Sequence, residues 1–255
     1  AIYTAKHAKR FRTSSQFTQS YLQVIYESLK SSSTKSFDKH YINLLYYLTV
    51  YATKEIDKCT SRFYETLLVA FANPSEEIRL YTMRTLNNYF RLTRHKQFPQ
   101  SLRNQAIQLI TPKKSPYPKN HGGMLIIVSL MDFFPEYYLE REIPKSYISI
   151  INSMKKDSRL INVCNLIQIA LAPNFPESFS TSVENFLRNN WPDDKSKLTS
   201  DYVFPIWFAL RKFPRAFTCK DNNNNSLFPQ LLDLIKNLIS KTEDRTMTDL
   251  GSSLL

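Results

Sequence analysis

Three groups of cationic side chains carry the strongest chemical signal in this sequence. Lys6, Lys9, Arg10 and Arg12 lie within residues 1–12, where no acid occurs. Arg84, Arg91, Arg94, Lys96 and Arg103 form the second group, and Lys113, Lys114 and Lys119 the third. Arg84 and Arg91 are seven residues apart, which puts both on one helix face, with Arg94 and Lys96 at its end. Such a stripe can meet phosphates or an acidic protein surface. The same cations also suit a plainer role, solvating an outward face and complementing the negative end of a helix dipole. The count argues for a partner. Residues 1–120 carry 19 Lys/Arg against 7 Asp/Glu, whereas residues 121–255 carry 15 of each, so the whole net charge of +12 lies in the first half.

Catalytic groups are thin by comparison. His7, His40, His95 and His121 are scattered, and none stands four residues from another His or a Cys. A zinc site needs three or four converging nitrogen or sulfur ligands, and no such spacing occurs. Asp193-Asp194, after Trp191-Pro192, read as a solvated loop ahead of a helix more readily than as paired acid–base carboxylates. No GxSxG is present. The only glycines are Gly122, Gly123 and Gly251, which cannot write GxGxxG or GxxxxGK[ST]. The expectation is a protein that is not an enzyme, with no cofactor and no metal; a triad assembled from distant residues is the minor alternative. Base-specific readout has no helix-turn-helix, aromatic RNP or zinc-finger signature to rest on. Any nucleic-acid contact would therefore be non-sequence-specific, made to the backbone and sensitive to salt.

The elements that must position these cations read as helices. Glycine poverty with 13 prolines disfavours sheet architectures and favours helices joined by short turns. Apolar periodicity places helices near 13–30, 38–58, 60–72, 75–92 and 100–111. Others follow near 124–134, 144–156, 157–172, 176–190, 200–213 and 227–241. In the first, Phe17, Tyr21, Val24, Ile25 and Leu29 form the expected stripe. Asp38 opens the second, whose middle, residues 41–51, is apolar nearly all round and so expected between neighbours. Phe63, Leu67, Leu68 and Phe71 share a face of 60–72, and Asn73-Pro74 ends it. Ser75 is the expected cap of the next helix, with Glu76 and Glu77 in its first turn and Ile78, Thr82, Leu86, Tyr89 and Phe90 inward. Arg84, Arg91 and His95 fall opposite.

The resulting organisation is a basic segment 1–12, basic helices over 13–111, and a Pro/Gly linker or loop at 112–123. Neutral helices over 124–241 and a frayed tail at 242–255 complete it. The charge balance changes at the linker, which marks it as a candidate boundary or binding loop. Residues 124–134 are apolar but too short to span a bilayer, and no transmembrane segment or signal peptide is expected. Cys59, Cys164 and Cys219 suit buried free thiols in a reducing compartment. Tyr46, Tyr47, Tyr51, Phe133, Phe134, Tyr137 and Tyr138 are expected mostly in the core, and any tyrosine left outside would anchor a partner.

Residues 60–92 carry a family resemblance. A helix, the Asn73-Pro74 turn, Glu77, Ile78-Arg79, Thr82 and Leu86 resemble a HEAT repeat, with Thr82 where that family usually has alanine. The resemblance covers one helix pair; the other pairs fit by length and alternation, so armadillo-like or irregular repeats stand beside it. It implies an all-α fold, an α-α superhelix or HEAT- or armadillo-like solenoid of about ten helices. A compact irregular helical domain is the alternative. The functional expectation is a scaffold that binds other proteins of an intracellular assembly, nuclear before cytoplasmic. Its basic half would contact nucleic-acid backbone or, alternatively, dock on anionic membrane or an acidic partner protein.

Overall fold

The computed structural model describes residues 15–31, 38–94, 97–110, 116–140, 145–189, 191, 200–220 and 225–240, and every regular element among them is helical. The chain divides into two compact units, Ala1–Lys156 and Asp157–Leu255. The first holds α1 (Ser15–Ser31), α2 (Asp38–Tyr51), α3 (Thr53–Ile56), a 3-10 turn at Asp57–Cys59, α4 (Thr60–Phe71) and α5 (Glu76–Leu92). It continues with α6 (Gln100–Leu109), α7 (Tyr117–Phe133), α8 (Pro135–Glu140) and α9 (Lys145–Met154). The second holds a 3-10 turn at Ser158–Leu160, then α10 (Ile161–Leu171), α11 (Pro176–Asn189), α12 (Ser200–Lys212), α13 (Arg215–Thr218) and α14 (Phe228–Ser240).

In the first unit, α5 packs against α2, α4 and α7, which explains its wide buried surface. Ile78, Thr82, Leu86 and Tyr89 are buried as their spacing predicts, and Arg79, Met83 and Thr85 join them on a second stripe. Contacts between α2 and α5 keep one register: Lys39 with Glu77, Tyr46 with Tyr81, and Asn88 with Thr49. Contacts between α5 and α7 repeat it, with Glu76 against Tyr117, Arg79 against His121, and Phe90 against Phe133. Both sets advance together along the chain, so α2, α5 and α7 run parallel and their N-termini share one edge. The helices that precede them do not repeat this order. Thr66 Oγ1 donates to the Leu22 carbonyl at 3.4 Å, and the Arg62 guanidinium sits 4.3 Å from the Tyr26 ring centre. Those two contacts give α1 and α4 opposite polarity.

α7 is the most enclosed element, with every residue from Asn120 to Met131 buried. At about 1.5–3 kcal/mol for each large apolar side chain removed from water, its Leu, Ile and Met residues supply much of the unit's core energy. Gly122 and Gly123 belong to this helix, which corrects the expectation that residues 112–123 lack regular structure. The helix begins at Tyr117, with Pro118 in its first turn, where a missing N–H costs nothing. The two glycines are there for close approach. A Cβ at Gly122 would overlap the Phe71 carbonyl, and one at Gly123 would stand 2.8 Å from the Ala106 oxygen. The boundary moves with them, from residues 112–123 to Lys156/Asp157, because α7 is bound into the first unit by α4, α5 and α6.

Other expectations need smaller corrections. α1 buries Thr18, Leu22, Ile25 and Leu29, leaving Phe17 and Val24 exposed. The helix expected over 38–58 breaks at Ala52, whose φ is −129°. Thr49 and Thr53 bond back to the carbonyls of Tyr46 and Thr49, a habit that bends helices. α2 is open on one side, with Val50 and Tyr51 exposed. Ser75 makes no side-chain cap; instead its N–H donates to Asn73 Oδ1 at 2.9 Å. Pro135 ends α7 as expected but also starts α8, and α13 was likewise not anticipated. All three cysteines are free, though only Cys164 is fully buried. No described helix is long and apolar enough to cross a membrane.

In the second unit α10 is the central element, buried from Val163 through Leu171 and packed on α11 and α12. Pro176 opens α11, and Arg188 near its end donates to the carbonyls of Cys219 and Asn225, tying it to the chain after α13.

Candidate functional site

Two polar constellations stand out in the first unit, one inside and one outside. The inner one gathers where the N-termini of α2, α5 and α7 meet. Arg79 is fully buried there. Its Nη1 donates to the carbonyls of Asn73 at 2.7 Å and Pro74 at 2.9 Å, and its Nε donates to His121 Nδ1 at 3.0 Å. Asn73 Nδ2 donates to the buried Asp38 carboxylate at 2.7 Å, while the Tyr117 hydroxyl donates to Glu76 Oε2 at 3.0 Å. Glu76 also stands 4.0 Å from Arg79 Nη2 and 3.8 Å from His121 Nε2. Burial lowers the Arg79 pKa, and Tyr117 and Glu76 pull it back; a guanidinium stays charged regardless. Burial, with the Arg79 charge second, pushes His121 down to about 3. The imidazole is thus neutral at physiological pH, and because Nδ1 accepts, Nε2 carries the proton. Nε and Nη1 of Arg79 are spent on protein acceptors. The constellation is therefore a clamp that fastens the α4–α5 turn to α2 and α7.

The outer constellation lies on α2 and α5. Tyr81, Arg84, Asn88 and Arg91 follow helical spacing along one face of α5. The Arg84 guanidinium sits 5.5 Å from the Tyr46 ring centre and 5.9 Å from that of Tyr81, within cation–π range. Tyr46 and Tyr47 are half-buried and Tyr51 is exposed, so the tyrosines of α2, expected mostly inside, form part of this surface. Burial raises the Tyr81 pKa, with Arg84 drawing it down. Three other cations of the unit pair with carboxylates on the surface: Lys39 with Glu77, Lys58 with Glu55, and Arg62 with Glu65. Arg84, Arg91 and Arg94 are exposed and have no carboxylate partner among the described residues.

Of the twelve cations singled out by sequence, the structure places five. Arg84, Arg91, Arg94 and Lys119 are exposed, Lys119 in the first turn of α7 and the other three on or just after α5. Arg103 corrects its expectation. It faces inward on α6 between Leu102 and Ala106, only 8% exposed, and is unsuited to an external anion. Lys6, Lys9, Arg10, Arg12, Lys96, Lys113 and Lys114 lie outside the described residues, as do His95 and Asp193-Asp194. Sequence reasoning missed Asp38, Asn73, Arg79 and His121 as a set. The available signal was a charged residue directly beside a buried stripe, at Arg79. Among the described residues, no three His, Cys, Asp or Glu side chains converge where they could hold a metal ion.

No protein family, curated protein or solved structure matches this chain.

Proposed function

We propose that this chain is a non-enzymatic helical-repeat scaffold of a nuclear assembly, holding protein partners and turning its first unit toward an anionic surface. The observation that carries this reading is the division of charge. The unit ending at Lys156 has 23 Lys/Arg and 11 Asp/Glu, and the unit from Asp157 has 11 of each. The excess thus follows a structural boundary, and part of it is the exposed trio Arg84, Arg91 and Arg94, which have no carboxylate partner among the described residues. A HEAT- or armadillo-like solenoid suits the two contact registers, each about forty residues in span, by which α2, α5 and α7 succeed one another. Three free cysteines suit a reducing compartment.

Purified chain is titrated with poly-glutamate, duplex DNA and anionic phospholipid vesicles at low ionic strength, then with added salt. Binding to at least one polyanion is expected, with log affinity falling linearly against log salt concentration. Binding confined to vesicles would instead make the chain a membrane adaptor. Absence of binding to all three at low salt refutes the anionic reading.

A further inference from the structure

The outer face of α2 and α5 has the composition of a protein-binding hot spot, since tyrosine and arginine dominate such sites and lysine is depleted. Building on the scaffold reading above, we infer that this face binds an acidic segment of a partner protein. Charge supplies the first argument. Arg84 and Arg91, two turns apart on α5, have no described carboxylate, in a unit whose positive excess is the whole chain's net charge. Arginine's planar fork suits carboxylates, which it takes in two parallel hydrogen bonds.

Ring orientation supplies the second argument and decides against single-stranded nucleic acid. A base-stacking platform needs ring faces turned outward. Here Tyr46 meets Tyr47 at 71° and Tyr81 at 53°, and Arg84 lies near both Tyr46 and Tyr81. Tyr47 and Tyr51 are near parallel, at 16° with centres 6.3 Å apart. Tyr46, crossed by Tyr47 and Tyr81 and with Arg84 near it, therefore offers no open row of parallel ring faces for successive bases. A tyrosine hydroxyl donates to carboxylates and carbonyls, and the exposed Val50 and Tyr51 offer apolar contact. Acidic side chains would meet Arg84 and Arg91, and an apolar residue between them would pack on Val50 and Tyr51.

The test uses the full chain and fluorescence anisotropy with two labelled probes: a peptide alternating glutamate with leucine and phenylalanine, and an oligo-uridylate of matching length. The charge-reversed pair Arg84→Glu/Arg91→Glu is expected to weaken the peptide at least about tenfold, and Tyr51→Ser about fivefold with no change of net charge. Lys119→Glu/Lys155→Glu makes the same change of charge at exposed residues away from this face and is expected to cost less than about threefold. Circular dichroism confirms that each variant is folded. Equal losses for the two double variants would overturn the assignment, leaving only diffuse charge. Tighter binding of oligo-uridylate, lost in Tyr51→Ser, would overturn it in favour of nucleic acid. If variants of this face bind as the parent does while poly-glutamate still binds in a salt-sensitive way, this inference fails and the scaffold reading stands. If no polyanion binds the parent chain, both fail.

Discussion

Replacing Gly122 with alanine gives the sharpest test of how the first unit is assembled. In a solvent-facing helix the change would stabilise by about 1 kcal/mol, because glycine is a poor helix former. At Gly122 the sign reverses. The added Cβ would overlap the Phe71 carbonyl oxygen and stand 2.7 Å from its carbon, where about 3.5 Å is comfortable. α7 must therefore retreat from α4 by roughly 1 Å, since the obstacle is backbone and cannot rotate away. His121 immediately precedes this residue, so the same retreat takes the 3.0 Å bond from Arg79 Nε beyond hydrogen-bonding range. Overpacking at about 1–3 kcal/mol and a lost charged-donor bond at about 1.5–3 kcal/mol outweigh the propensity gain. A net loss of about 2–5 kcal/mol follows. Gly123→Ala, whose Cβ meets the Ala106 oxygen at 2.8 Å, is the milder of the two. Urea unfolding followed by circular dichroism measures the loss, and amide exchange should place it in α4, α5 and α7. A Gly122→Ala protein as stable as the parent would refute the α4–α7 contact and the reason given for the glycine.

Arg79→Met should cost about 2–4 kcal/mol by urea unfolding, because it strands the buried Asn73 carbonyl and removes the bonds to Pro74 and His121, and Arg79→Lys should recover little of it. His121, held at about 3 when folded against an ordinary 6.5, binds its proton in the unfolded chain first. Its contribution is therefore fully present above pH 6.5 and falls by about 1.4 kcal/mol per unit as pH drops toward 3. In His121→Gln the dependence of unfolding free energy on pH should flatten across that window, and an unchanged slope would contradict a buried neutral imidazole. Asp57 Oδ1 accepts from both the Tyr89 hydroxyl at 2.9 Å and Thr93 Oγ1 at 2.6 Å, so Asp57→Ala should destabilise by about 1–3 kcal/mol in the same assay.

Helix boundaries were legible in the sequence where apolar spacing and proline coincide. Apolar spacing and proline placed α4, α5, α11 and α14 within a residue or two. The errors fall where packing is two-sided or very close. Gly122-Gly123 after three prolines read as a loop because glycine usually marks positive φ. The same residue also permits helix-to-backbone contact, and nothing local distinguishes the two uses. Arg79 escaped notice because a single-stripe projection assigns α5 one partner; with α2 and α7 on either side, the next 100° of its surface is interior as well. The candidate surface was half legible. Arg84 and Arg91 announced a face through their spacing, whereas exposure of the α2 tyrosines depends on which side of that apolar helix its neighbours leave open. Arg103 shows the limit of counting charges, since nothing in the count says which arginine turns inward.

The regular separation of contacts among α2, α5 and α7 bears on how the chain is built during synthesis. Each of these helices meets its predecessor after about forty residues, so docking requires only short loops to close and no partner from far along the chain. The unit can therefore grow in the order in which it leaves the ribosome. Its weak moment comes before α7 emerges, when the Phe71 carbonyl and the Arg79 guanidinium have no cover. Arrival of His121 and the two glycines after it closes that opening, which makes α7 the keystone of a vectorial assembly.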